Sequence, residues 1–193
     1  MGRASRCRAI TRLNRATRLI AGCVAAVVGF ACSAPVEAAG LDENQVKAAY
    51  LFNFARYVEW PSTAHTSSTS ALEIGVVGGG VVSDLLKKTV AGKTVRARSL
   101  RVVNFESPAD ARSSHILFVP GDLSSEELLQ ILDQLKGTHV FVVADAAGFA
   151  QHGGIANFIV AGSRVRFAIN KNAAEEAGLK VSSKLLRLAE LVE

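Results

Sequence analysis

The chain is 193 residues long, 49% hydrophobic and 20% charged, with a formal net charge of +5. That length admits one domain, or one domain with extras. The positive balance is local: of 22 lysines and arginines six lie in the first 38 residues, and of 17 acidic residues one does, which leaves 16 of each in the remainder. The basicity therefore belongs to the leading segment and is no evidence for nucleic-acid binding, and no nucleic-acid partner is expected.

The first 38 residues read as a signal peptide. Arg3, Arg6, Arg8, Arg12, Arg15 and Arg18 precede an apolar run, Leu19–Ala31, that is too short to span a bilayer. Val36 and Ala38 place small residues at the −3 and −1 positions of a cleavage site, so cleavage is expected after Ala38. The segment around Cys32 makes a poor lipobox, because Phe30 stands where a small residue is needed. No two arginines are adjacent, which points to the general secretory route. Cys7, Cys23 and Cys32 all fall in the removed part. Residues 39–193 form a single expected domain, large enough to bury a core without disulfides. No later apolar run reaches the length of a membrane helix, so a soluble exported domain is expected.

Val46–Pro61, VKAAYLFNFARYVEWP, is the first predicted helix, opened by a capping box from Asp42 to Gln45 and closed by Trp60-Pro61. At about 100° per residue its apolar side chains sweep roughly 160° of the axis, and Phe52 falls outside that sector. An ordinary surface helix carries a narrower stripe. Phe52 and Trp60 therefore need a second cover. Either a neighbouring helix of the same chain supplies it, or they form a partner surface, such as a homodimer contact. Residues 62–70 are a polar loop containing His65.

Leu72–Gly78 is a predicted strand, and Gly79-Gly80 turns the chain into a helix through Val90. Leu100–Phe105 and His115–Val119 are further strands. Ser124 or Ser125 caps a helix carrying Leu128, Ile131, Leu132 and Leu135 at i, i+3, i+4 and i+7. Gly137 ends it, and Val140–Ala144 is a fourth strand. Ile155–Val160 and Arg164–Ile169 read as a hairpin over Ala161-Gly162-Ser163. Asn170 or Asn172 caps a short helix, and Ser182 or Ser183 caps a last one whose stripe is Leu185, Leu188, Ala189 and Val192. The unbroken apolar runs ILFV and VFVV are strands buried on both faces. Together these elements predict an α/β three-layer sandwich: a mostly parallel central sheet, helices on both faces, and the hairpin at one edge.

Chemistry is sparse. The glycines from Gly75 to Gly80 occupy the place of a phosphate-binding loop, but neither the spacing nor a following lysine completes one. The histidines lack metal spacing, and no cysteine remains to help them. His115 and His139 begin apolar strands and read as structural. Asp145 follows a strand with no base or acid partner identifiable in the sequence, and no serine sits in a nucleophile elbow. Hence no catalytic set, metal site or cofactor is expected. Two groups of binding candidates remain. Phe149 and His152 lie in a glycine-containing loop at the strand-end side, where ligands or partners are often held. Ser182, Ser183 and Lys184 open the last helix and, with Arg164 and Arg166 on the hairpin, make a candidate small-anion site.

VKAAYLFNFARYVEWP, GFAQHGGIANF and RVRFAINKNAAEEAGLKVSSKLLRLAELV, with HILFVP between them, together resemble the YfiR family of periplasmic proteins over essentially all of residues 39–193. The resemblance implies a periplasmic negative regulator rather than an enzyme. It implies binding to the periplasmic sensor of an inner-membrane diguanylate cyclase, repression of cyclic di-GMP synthesis and restraint of biofilm formation. An outer-membrane lipoprotein would drive release. The family often carries cysteine at the positions of Gly75 and Ser114; this chain has neither, so redox sensing through that pair does not apply.

Overall fold

The computed structural model describes residues 42–64, 70–121, 123–162 and 164–192. The expected signal peptide, the three cysteines, His65 and Ser163 lie outside the described residues. The described residues belong to one compact unit, Ala39–Glu193.

In chain order the elements are α1 (Glu43–Tyr57), β1 (Val58–Glu59), β2 (Leu72–Val77), α2 (Val81–Val90), β3 (Thr94–Val95), β4 (Arg98–Phe105) and β5 (Ile116–Val119). Then follow α3 (Ser125–Gln134), β6 (Phe141–Ala144), β7 (Ala156–Ala161), β8 (Arg164–Asn170), α4 (Lys171–Glu176), β9 (Lys180–Val181), α5 (Ser183–Leu186) and β10 (Glu190–Val192). Among the described residues, eight strands form one sheet in the order β10-β8-β7-β6-β5-β2-β4-β3, and β1 and β9 form a separate antiparallel pair. The large sheet is parallel except where β3 meets β4 and β7 meets β8. From β2 the chain moves one way to β4, and from β5 it moves the other way to β6, so the sheet is doubly wound.

Alternation along each strand divides the core. Ile74, Val76, Ile116, Phe118, Phe141 and Val143 join Leu51, Phe54 and Ala55 of α1, Leu86 and Val90 of α2, Ala174 of α4 and Leu185 of α5. Leu117, Val119, Val142 and Ala144 face the opposite way and join Leu128 and Ile131 of α3, together with Leu135 just after it. This is the three-layer α/β arrangement expected from the buried strands.

Several local readings change. Asp42 precedes α1, but its side chain makes no cap bond, and the predicted box is absent. The carboxylate of Glu43 in the first turn serves Lys47 instead. The helix stops at Tyr57, and Val58 takes extended geometry to pair with Val181. The box does form at α3, where Ser124 Oγ accepts from the Glu127 N–H and the Glu127 carboxylate accepts from the Ser124 N–H. The last predicted helix ends at Leu186, and Glu190–Val192 becomes β10 in parallel register with Ala168–Asn170. Of the stripe expected there only Leu185 is buried, and Leu188 stands 68% exposed. The hairpin of β7 and β8 forms as read, with β10 added outside it.

Candidate functional site

The buried stripe of α1 runs through Lys47, Leu51 and Phe54, spaced i, i+4 and i+7, and the buried Val58 follows just past the end of the helix. A lysine on an apolar stripe must find an acceptor or lose its charge. Lys47 is 3% exposed, and its ammonium donates to Asp145 at 2.7 Å and to Glu43 one turn earlier on its own helix. It also lies 6.0 Å from the centre of the Phe158 ring. Burial alone lowers the pKa of such a group. Here the hydrogen bonds and charges of Asp145 and Glu43 outweigh that effect and hold Lys47 above the ordinary lysine value of 10.5.

This ion triad forms one wall of a cleft of about 530 Å³. The cleft lies at the carboxyl ends of the parallel strands: Gly121 comes from the turn after β5, Asp145 directly follows β6, and Phe158, Ile159 and Val160 belong to β7 beyond its last pairing with β6 at Asn157. Open α/β sheets take their ligands at this end. Gly148 and Gln151 complete the opposite wall.

The loop from Asp145 to Gly154 that carries this wall is pinned from below. The buried Asn157 accepts from the Ala150 N–H at 3.1 Å and donates to the Phe158 carbonyl, while Asn170 donates to the Ala150 carbonyl at 3.0 Å. Phe149 inserts beneath the loop with none of its surface exposed. Gly154 makes room for it, since a Cβ there would meet the Phe149 ring at 2.3 Å. Phe149 therefore offers no surface to a partner, which corrects its reading as a partner-binding candidate. His152 remains exposed on the same loop, and its Nδ1 donates to the Gly148 carbonyl at 2.7 Å.

The second cover that α1 requires comes largely from within. The Phe52 ring is half-buried, with the Lys93 ammonium 4.7 Å and the Arg56 guanidinium 5.7 Å from its centre. Trp60 is also half-buried; its indole N–H donates to the His115 carbonyl at 3.0 Å, and its ring meets the His115 ring edge-on. His115 and His139 are built into the framework. His115 Nδ1 accepts from the Glu73 N–H, and His139 Nδ1 donates to the Ala177 carbonyl.

The candidate anion site does not assemble. Arg164 and Arg166 alternate with Val165 and Phe167, which enter the core shared with α5, so the arginines point to the other side of the sheet. Arg166 pairs with Glu190 at 2.9 Å. Ser182 Oγ accepts from the Lys184 N–H and caps a helix of only four residues. Among the described residues no group of three or more potential metal ligands converges, and no helix is long and apolar enough to cross a membrane. Sequence reasoning noted Asp145 but missed its partner. The available signal was the spacing that sets Lys47 in line with Leu51 and Phe54.

The class defined by this architecture is a doubly wound α/β domain with a polar cleft at its strand ends. Residues 44–190 match the YfiR/HmsC-like family, and the chain belongs to it. This is a family of periplasmic regulators. Among solved structures, the chain is similar to a conserved domain protein from Vibrio cholerae O1 biovar El Tor, at 19% identity and a TM-score of 0.45. It is also similar to the ABC domain in complex with L-tryptophan from Streptococcus pneumoniae, at 15% identity and a TM-score of 0.42. Each match covers 63% of this chain and 55% of the other, so the chain spans little more than half the length of these structures. A comparison with curated proteins finds no match.

Proposed function

We propose that the protein is a periplasmic negative regulator that binds the periplasmic sensor region of an inner-membrane diguanylate cyclase. Binding holds the cyclase inactive, lowers cyclic di-GMP and restrains biofilm formation. The supporting observation is the family match, which runs from the first turn of α1 to the start of β10 and so takes in the whole sheet. An outer-membrane lipoprotein is the partner that would relieve the repression, and export through the N-terminal 38 residues brings the protein to both membranes.

In this reading the contact surface centres on the partly buried Phe52 ring and the two cations beside it, Arg56 and Lys93. An aromatic flanked by an arginine is the side-chain chemistry that dominates protein interfaces. Deletion of the gene in a strain expressing the cyclase is expected to raise cyclic di-GMP, measured by mass spectrometry, and the wild-type gene to restore it. Unchanged nucleotide levels reject the reading. Phe52→Ala is expected to weaken recovery of the cyclase from solubilised membranes while leaving a cooperative thermal melt. Sedimentation of the same pair of proteins reports whether this surface also joins two copies of the chain.

A further inference from the structure

The cleft beside Lys47 has a charge imbalance that selects its occupant. Lys47 contributes one positive charge and Glu43 and Asp145 two negative ones, and no other described residue lining the cleft is ionisable. The lysine is committed, since it is 3% exposed and held by both carboxylates. An anion entering the cleft meets a surplus of negative charge and no available cation. The carboxylates are not exhausted: Asp145 uses Oδ2 and Glu43 uses Oε1 for Lys47. Among the described residues the second oxygen of each accepts no hydrogen bond. Both side chains retain exposure, 20% for Asp145 and 45% for Glu43.

The rest of the lining is uncharged, with the amides of Gln151 and Asn157 beside an apolar part from β7. Phe158 lies beside the ammonium, and Ile159 and Val160 continue outward along β7. Val160 stands 47% exposed, although large apolar side chains in this domain are otherwise mostly buried. The volume, about 530 Å³, is within the range of sites for small molecules. An acidic head position and a short apolar wall beside it, in an open cleft, define a ligand with a positive end and an aliphatic body.

We propose that this cleft binds a small organic cation, a primary amine or a guanidinium on a short alkyl chain. The cationic head sits against the second oxygens of Asp145 and Glu43, and the alkyl body lies along Val160. The assignment rests on the cleft alone and does not depend on the regulatory reading.

The test is calorimetric titration of the purified protein with putrescine and with agmatine, set against inorganic phosphate and 1,4-butanediol. The amines are expected to bind saturably, and the phosphate and the diol not to bind. Asp145→Asn is expected to weaken amine binding about tenfold or more, because a charge-assisted hydrogen bond is replaced by a neutral one. Glu43→Gln, at a more exposed position, is expected to weaken it about threefold. A thermal melt accompanies each variant. If Asp145→Asn fails to fold, Glu43→Gln and Val160→Ser carry the test. The proposal is overturned by absence of saturable amine binding to the folded wild type, by equal binding in the variants, or by tighter binding of phosphate. None of these results bears on cyclic di-GMP in the deletion strain, so the two readings fail separately.

Discussion

On one face of the sheet α1 brings Phe54 among rings, with Phe141 at 5.4 Å, Phe167 at 5.2 Å and Phe158 at 6.2 Å between centres, and Tyr50 stacked beside it. On the other face α3 lays Leu128 and Ile131 over the aliphatic side of β5 and β6, and the loop after β6 adds Phe149. The first cover is interlocked and carries a charged residue at its head. The second is a plain amphipathic helix with a capping box. Interlocking rings make the first face expensive to alter, whereas a single aliphatic stripe leaves the second more room to relax.

The largest expected effect tests that difference directly. Phe54→Ala is expected to cost about 3–5 kcal/mol of stability, and Leu128→Ala about 2–3 kcal/mol, measured by denaturant unfolding of both proteins. Equal losses would mean that the two covers are energetically alike. Next comes the charged head of α1. Asp145→Ala leaves a buried ammonium with Glu43 as its one remaining carboxylate, at an expected cost of about 2 kcal/mol; this is discounted from a fully buried pair because Asp145 is partly hydrated. A loss under half a kcal/mol would show that the triad does not anchor α1. On the second face, Gly154→Ala forces a methyl against the Phe149 ring and is expected to cost about 1–2 kcal/mol. A neutral result would mean that the loop lifts freely from the sheet. The smallest effect is one of pH. Because Lys47 is held above its ordinary value in the folded protein, its contribution is complete below pH 10.5 and is lost as pH rises through the folded pKa. Wild type is therefore expected to lose more stability than Lys47→Met on moving from pH 9 to strongly alkaline solution, in paired melts.

How legible each face was follows from the range of its interactions. The α3 face could be read from neighbours in the chain: Ser124 and Glu127 cap the helix, and Leu128, Ile131 and Leu135 repeat at helical spacing. The parallel sheet was visible in its unbroken apolar strands. The α1 face was legible in outline only. Its aromatic excess was plain, but whether Phe52 faced a partner or a cation of the same chain depended on where α2 and Lys93 came to lie. Asp145 and Lys47 are 98 positions apart, and only the packing of α1 across the sheet brings them together. At the C-terminus, Leu185, Leu188, Ala189 and Val192 have helical spacing, yet pairing with β8 takes Glu190–Val192 into the sheet. Phe149 was a partner candidate for its place in a loop at the strand ends, and a glycine of that loop, Gly154, is what lets the ring go under.

The short β1–β9 pair has a consequence for the order in which the molecule is completed. It joins Val58 to Val181 and Glu59 to Lys180, and the Ser182 N–H adds a bond to the Tyr57 carbonyl. The end of the first helix is thus fastened by residues that are synthesised after every internal strand of the sheet, and β10 closes one margin of the sheet only after them. A nascent chain stopped before residue 180 has every internal strand of the sheet but lacks the pairing that fastens the end of the helix covering it.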